Sequence, residues 1–214
     1  MSFPFGLLLV LVAIVGVTAA VFGWLGEKKR REAMLAWAGQ QEFRYRPGKD
    51  KELGNRLAAF SVFQQGHSRY ARHVCDGERA GRRVTAFDYH YATTTHSGKT
   101  TSTQHHHFSA VVIETGLPLK PLTVRPETMF DWFAEMVGFD DIDFESTEFS
   151  KRFHVASPDR RWAHDVLHQD TMEFLLESGV FTVEMAGPWI LARRAKRFDP
   201  SEFSAAVAVL EGIV

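Results

Sequence analysis

The opening 26 residues form an apolar run unlike the rest of the chain. No Asp, Glu, Lys, Arg or His occurs from Ser2 to Gly26, and Phe3–Leu25 is almost wholly Leu, Val, Ile, Ala, Phe and Gly. A helix over this run rises ~1.5 Å per residue and reaches roughly 34 Å, enough to cross a hydrocarbon core of about 30 Å. Lipid offers no hydrogen-bond partner to the backbone, so a helix is the expected conformation. The pattern predicts a transmembrane helix over residues 1–26.

Two other interpretations of the run are a cleaved signal peptide and a buried helix of a soluble protein. Val17-Thr18-Ala19 is similar to a small-residue cleavage site. However, Met1–Pro4 carries no Lys or Arg, and the run exceeds the usual signal core of about 7–15 residues. A buried soluble helix is rarely uncharged over such a length. These departures favour a retained anchor.

A basic cluster follows the apolar run and predicts its orientation. Lys28, Lys29, Arg30 and Arg31 flank the C-terminal end of the run, and no cation flanks the other end. Cytoplasmic flanks are enriched in Lys and Arg, so we expect a single-pass protein of the cell (inner) membrane with its N-terminus outside and its C-terminal domain cytoplasmic. The cluster would also attract anionic headgroups, by about 1 kcal/mol per cation near the surface.

The juxtamembrane segment 27–39 is predicted to continue as a basic helix that Gly39 ends, with Met34 and Trp37 on one face. Residues 40–214 then form one soluble α+β domain, without a repeat or a linker that would divide it. Alternating side chains and the two-residue turn Ala80-Gly81 indicate an antiparallel meander. The predicted strands are Phe43–Arg46, Arg72–Arg79, Arg82–Thr93, Thr101–Glu114 and Leu122–Arg125.

The second half of the chain changes to a helical period. Apolar residues every three or four positions predict a helix over Glu127–Val137. Ser157-Pro158, Asp170 with Glu173, and Asp199-Pro200-Ser201-Glu202 are each typical of a helix start. Between the last two of these starts, Val180–Met185 and Trp189–Arg194 predict a hairpin around Gly187-Pro188.

Composition excludes several classes of function. Lys and Arg number 25 against 26 Asp and Glu, which lacks the basic excess of a nucleic-acid-binding protein. The single cysteine, Cys75, excludes an internal disulfide and suits a reducing compartment. The chain contains no Walker loop, dinucleotide fingerprint or G-x-S-x-G elbow.

The ten histidines are the unusual feature of the composition. If the hairpin turns at Ser97-Gly98, His90 lies opposite His105 and Asp88 lies opposite His107, all on one face. Three imidazoles and a carboxylate are ligands that suit zinc or another divalent metal. A one-residue shift in register would disperse them, and a solvated, His-rich polar hairpin is the alternative interpretation.

A second pair, His164 and His168, has the i, i+4 spacing of H-E-x-x-H metalloproteases. Asp165 stands where the general-base Glu would be, but its side chain is one methylene shorter, so its carboxylate would fall short of the position that a Glu carboxylate reaches. Surface histidines beside an apolar stripe are the competing interpretation. For Cys75, a buried strand position is preferred over a nucleophile.

Several short motifs are distributed along the chain: Gly66-His67-Ser68-Arg69, Ala71-Arg72, Phe87-Asp88-Tyr89, Asp143-Phe144, Glu148-Phe149-Ser150, the closing hairpin and the Pro200 helix. With these motifs the chain resembles a family of bacterial membrane-anchored proteins of unknown function. The likeness, which covers most of the chain in layout, implies a single-pass membrane anchor with a Lys/Arg flank and a soluble α+β region. It implies no activity, cofactor or catalytic residue.

These patterns predict a membrane-tethered, non-enzymatic binding domain without a cofactor. We expect its partners to be the lipid bilayer, anionic headgroups or a membrane protein, contacted by Arg69, Arg72 and Lys28–Arg31. The alternative is a metal-binding sensor or metal-dependent hydrolase that holds zinc at His90, His105, His107 and Asp88. A pH response of the same histidines is a third interpretation.

Overall fold

A computed structural model describes residues 5–98, 100–127, 142–178 and 181–214, with side chains from residue 10 onward. Its first element, α1 (Phe5–Gln40), is one uninterrupted helix. From Val10, α1 is long and apolar enough to cross a membrane, and none of its apolar window is buried. A helix with that surface is not the core helix of a soluble protein. The predicted basic helix is the last part of α1.

The last turns of α1 belong to the core of the folded region. Met34, Trp37 and Ala38 are buried and belong to one apolar cluster with strand residues such as Val84 and Ala86. The predicted face of Met34 and Trp37 is confirmed. One rigid helix therefore carries both the apolar span and part of the hydrophobic core.

The sheet is antiparallel and mixed with helices, which confirms the α+β fold class. Ala80 and Gly81 both have positive φ, as a type I′ hairpin turn requires, and they join β2 to β3. The sheet order is β1-β2-β3-β4-β5, and β6 also pairs with β4. The strands are β1 (Arg44–Arg46), β2 (His67–Arg79), β3 (Arg82–Ser97), β4 (Thr100–Pro126), β5 (Phe153–Ala156) and β6 (Thr182–Arg193).

Two of these strands are longer than the sequence predicts. β4 joins the two segments that were predicted as separate strands, and β6 runs through Gly187-Pro188 where a hairpin was predicted. The hairpin prediction is wrong because β4 offers β6 a partner on both sides of that dipeptide. Gly187, at φ +58°, instead lies at an irregular step in the register opposite Leu119.

The helices are short, apart from the first and last. The predicted start of the last helix is confirmed, and Asp199 and Glu202 form a capping box there. The other two predicted starts are wrong. The helix Arg160–Val166 is capped by Asp159 and not by Ser157, and the helix Gln169–Glu177 begins after His168 and not after Asp170. The predicted helix Glu127–Val137 lies largely outside the described residues. The helices after α1 are α2 (Leu53–Arg56), α3 (Thr147–Arg152), α4 (Arg160–Val166), α5 (Gln169–Glu177) and α6 (Pro200–Ile213), and a 3₁₀ turn covers Ser61–Gln64.

The sheet separates two apolar clusters. Val84 and Ala86 of β3 face α1 and α6, whereas Phe87, Tyr89 and Tyr91 face α2 and the 3₁₀ turn. This alternation is the one that the sequence predicts for β3. It places Asp88 and His90 on the α1 side of the sheet.

Candidate membrane-proximal site

A buried ion pair fixes α1 to the sheet. Arg30 donates from Nε to Oδ2 of Asp88 at 2.9 Å and from Nη2 to Oδ1 at 2.6 Å. The Arg30 side chain is 12% exposed and the Asp88 side chain 3%. A bidentate guanidinium–carboxylate pair of this kind fixes orientation as well as distance. The pair therefore sets the height and rotation of α1 on the sheet.

Ser109 and Phe198 complete the surroundings of this pair. Ser109 donates its hydroxyl to Asp88 at 2.5 Å and accepts the backbone N–H of Phe198 at 2.9 Å. Arg30 Nη1 donates to the Phe198 carbonyl at 2.5 Å. Strands β3 and β4, the segment before α6, and α1 thus meet at one charged centre. Arg30 belongs to this centre and departs from the lipid-facing role that was expected for all four cations.

A second polar chain lies one helical turn nearer the apolar run. Glu27 accepts from Arg72 at 2.8 Å, and its Oε1 lies 2.9 Å from Nε2 of His73. Nδ1 of His73 lies 2.7 Å from the Tyr45 hydroxyl. Because Glu27 can only accept, the His73 proton is on Nε2, and Tyr45 donates to Nδ1. Burial lowers the pKa of His73 and raises the pKa of Tyr45 to about 12.

An irregularity in β2 allows neighbouring residues to reach the same carboxylate. The β2–β3 register shifts between Arg72 and Cys75, and His73 has a φ of +51°. Consecutive strand residues ordinarily point to opposite faces, and a bulge with an extra residue removes that constraint. Arg72 and His73 therefore both contact Glu27 on α1.

These residues line a cleft between α1, β2 and the segment that follows β1. The cleft has a volume of about 540 Å³. Arg72 and His73 form its sheet wall, and Lys28 and Arg31 lie on its helix wall. The complete lining is Trp24, Glu27, Lys28, Arg31, Pro47, Gly48, Arg72 and His73.

A larger cleft of about 810 Å³ opens on the α2 side of the sheet. Its floor is apolar and includes Leu57 and Trp189. Its charges largely offset one another, since Arg46 pairs with Asp76 at 2.7 Å and Arg83 lies 3.9 Å from Glu114. The membrane-proximal cleft has the clearer excess of cations.

The histidine cluster exists with a register different from the predicted one. His90 pairs with His107 and Ala92 pairs with His105, because Ser97 pairs with Thr100 and every β3 residue therefore lies opposite a β4 residue two positions later than predicted. The shift preserves the face of every side chain, so the imidazoles remain neighbours. The His90 ring centroid lies 5.3 Å from that of His105 and 4.7 Å from that of His107.

Hydrogen bonds indicate which nitrogens of these imidazole rings carry a proton. The Ser68 carbonyl lies 3.0 Å from Nδ1 of His90, which must donate, so Nε2 of neutral His90 accepts from Nδ1 of His105 at 3.0 Å. Burial lowers the pKa of His90, which is consistent with the neutral ring. Partial desolvation and the Arg197 guanidinium lower the pKa of His107 to about 4.

The arrangement of these groups differs from a metal site. Asp88 is held by Arg30 and Ser109, and Nε2 of His90 is occupied by His105. Within the described ranges, no three His, Cys, Asp or Glu side chains are grouped so as to hold a metal ion. The zinc site at His90, His105, His107 and Asp88 stays a prediction.

The other candidate motif is not arranged as predicted. His164 lies within α4, whereas His168 lies beyond the end of that helix and precedes α5, so the two do not share a helical face. The Cys75 thiol is fully buried in β2, and burial raises its pKa to about 12, which is unfavourable for a nucleophile.

Sequence reasoning missed the partners of the charged residues around α1. Glu27 and Arg30 stand in a run that is typical of a membrane flank, and nothing local indicates that their partners are 46 and 58 positions away. A usable signal was the isolated carboxylate Asp88 on the inward face of a strand, because a buried carboxylate requires a cation.

Comparisons with known proteins concern the fold. No family model matches the sequence. No curated protein matches it significantly. Among solved structures, the mycobacterial trehalose monomycolate transport factor A, TtfA, is similar at a TM-score of 0.63 and 12% identity, over 87% of this chain and 91% of that one. The chain shares the fold of that transport factor across most of both lengths.

Proposed function

We propose that this chain is a single-pass membrane protein whose α+β region is a non-enzymatic binding module at the cytoplasmic face of the bilayer. The observation that carries the proposal is the continuity of α1, which is apolar and exposed from Val10 and enters the domain core at Met34 and Trp37. A module built on the end of its own anchor stays close to the lipid surface. We also propose that the chain belongs to a family of bacterial single-pass membrane proteins.

The likeness to TtfA supports an accessory role for the chain. That protein's name describes it as a transport factor. By analogy of fold, we propose that this chain assists a membrane process through binding, with lipid headgroups or a membrane protein as the partner. The buried, high-pKa thiol of Cys75 is in keeping with a role that needs no nucleophile.

The experiment for this proposal follows the full chain in bacterial cells. We expect it to remain in membranes washed with alkaline carbonate, with residue 1 still present by mass spectrometry. Protease should degrade the domain in inverted vesicles and spare it in intact spheroplasts. Loss of the apolar run from the mature chain, or digestion from outside, would refute the proposal.

A variant without three of the flanking cations tests the orientation of the chain in the membrane. Changing Lys28, Lys29 and Arg31 to Gln removes the charge asymmetry while keeping Arg30 for the Asp88 pair. We expect a fraction of this variant to become protease-sensitive in spheroplasts, since flanking cations determine orientation. An unchanged distribution would show that the cations do not direct it.

The second candidate function is a metal-binding sensor, or a metal-dependent hydrolase, on the β3–β4 hairpin. The proximity of the His90, His105 and His107 rings favours it. Elemental analysis of the purified chain should then find stoichiometric zinc, and zinc should raise the melting temperature of the native chain but not that of a variant with all three changed to Ala. A metal-free chain with no thermal shift would eliminate this function.

A further inference from the structure

We propose that the membrane-proximal cleft is a specific site for the phosphate of an anionic phospholipid headgroup. The inference rests on the proposed membrane anchoring and adds a defined pocket to it. Its ligand is a lipid of the leaflet that surrounds α1, so the phosphate arrives at the cleft already held at the bilayer surface.

The position of the cleft along α1 matches the depth of the headgroup layer. Trp24 is the last aromatic residue of the apolar run, and an interfacial Trp marks the headgroup level. At ~1.5 Å per residue, Lys28, which lines the cleft, lies roughly 6 Å farther along the helix than Trp24. The headgroup layer is about 5–8 Å thick on each side of the hydrocarbon, so the cleft opens into that layer.

The lining of the cleft has more cations than carboxylates. Lys28, Arg31 and Arg72 line the cleft as cations, and Glu27 is its single carboxylate. Glu27 is already engaged by Arg72 and His73, and burial keeps His73 neutral. The cleft therefore has a net positive charge before any ligand is bound.

The cationic side chains that line the cleft have hydrogen-bond donors available for an anion. Nε of Arg72 is buried and has no hydrogen-bond partner in the part of the chain that the structure describes. Arg31, on the helix wall, has no ion pair or hydrogen bond there either. The Lys28 ammonium lies 4.0 Å from a carboxylate oxygen of exposed Glu32 and 5.6 Å from the centroid of the Trp24 ring, so its hydrogen-bond donors remain open to an anion. A phosphate oxygen satisfies such donors, and guanidinium groups match phosphate geometry well.

The test uses the full chain in nanodiscs of phosphatidylcholine with spin-labelled phosphatidylglycerol or spin-labelled phosphatidylcholine as probes. We expect the native chain to immobilise the anionic probe selectively. Arg31→Gln and Lys28→Gln should each lower that selectivity roughly ten-fold or more, the effect of losing a charge-assisted hydrogen bond to phosphate. By contrast, Lys29→Gln should lower it only about five-fold, the contribution of one cation near a lipid surface. Lys29→Gln is the matched control, because it removes the same charge from the same helix outside the cleft.

The outcomes separate a pocket from general attraction. Equal losses in Lys29→Gln and Arg31→Gln would overturn the site, as would a native chain with no preference for the anionic probe. Inorganic phosphate is a further competitor: displacement of the lipid by millimolar phosphate would assign the cleft to a free anion and overturn the lipid assignment. Failure of the chain to insert into nanodiscs would instead refute the anchoring on which the inference rests.

Discussion

Trp37 donates its indole N–H to the Ser204 hydroxyl at 2.9 Å and so joins the membrane helix to the last helix of the chain. The Trp37 ring also packs on Phe203, with 5.2 Å between ring centroids. The first and last elements of the sequence thus share one part of the core. Their contact explains why α1 cannot be treated as a detachable anchor.

A truncation tests this dependence. A chain that begins at Glu27 keeps Arg30, Met34 and Trp37 and should fold in solution. A chain that begins at Gln41 lacks these side chains and exposes their apolar partners on the sheet, so we expect loss of cooperative unfolding or aggregation. Thermal denaturation followed by circular dichroism would compare the two, and equal melting temperatures would contradict the prediction.

The Arg30–Asp88 pair gives a second prediction. Asp88→Ala leaves a buried guanidinium without its carboxylate and should lower the free energy of unfolding by about 3–5 kcal/mol. The double variant Arg30→Met/Asp88→Leu removes both charges and should recover most of that loss. Urea denaturation of chains that begin at Glu27 would measure both, and a double variant as unstable as Asp88→Ala would argue against the charge explanation.

The pH dependence of stability follows from His73. Burial holds its pKa below the unfolded value of about 6.5. The unfolded chain therefore binds a proton at a higher pH than the native chain, and stability falls as pH drops through about 6.5 toward the native pKa. Above that range His73 is neutral in both states and contributes no slope.

His73→Asn provides the comparison, because Asn tolerates positive φ and does not titrate. This variant should be less stable near pH 8, where it lacks the bonds to Tyr45 and Glu27, but its stability should fall less steeply between pH 7 and 5. His90, His106 and His107, whose pKa values are also lowered, maintain part of the slope. Identical slopes in the two proteins would exclude His73 as a source.

Gly66 gives a backbone prediction. It has a φ of +58°, and a Cβ there would lie 2.1 Å from the carbonyl oxygen of Ala92. Gly66→Ala should cost about 1–3 kcal/mol through strain and that collision. Gly98 has the same φ with open space around it, so Gly98→Ala is the matched control, which meets the strain of positive φ without the collision. Chemical denaturation of both variants would show whether the close approach, and not φ alone, determines the cost.

Local patterns in the sequence predicted the elements whose signals are contained within them. Ala80-Gly81 defines its turn by the φ angles it must adopt, and Asp199 with Glu202 defines a helix start by hydrogen bonds across three residues. The single strand through Gly187-Pro188 could not be predicted, because only the distant partner β4 makes that dipeptide an irregularity within a strand.

The candidate sites depend even more on distant contacts. The imidazole cluster was predicted because strand alternation survives an even change in pairing, although each β3 residue pairs two positions later on β4 than predicted. The role of Asp88 was not predicted, since its partner Arg30 lies in a run with an independent explanation as a membrane flank. The positive φ of His73 and the bulge that brings it to Glu27 have no signature in the residues of β2.

The length of β3 has a consequence for how the anchor enters lipid. Contacts of Arg79 with Gln41 and of Asp88 with Arg30 show that β3, paired to β2, runs alongside α1 in the opposite direction. Beyond Asp88 the strand continues to Ser97, an overhang of roughly 30 Å at ~3.3 Å per residue. Its Thr- and His-rich tip does not belong in hydrocarbon, so in the proposed arrangement either α1 crosses obliquely or the overhang bends sideways. Either geometry would keep the polar tip of the hairpin out of the hydrocarbon, so the long β3–β4 hairpin restricts the angles at which α1 can enter the bilayer.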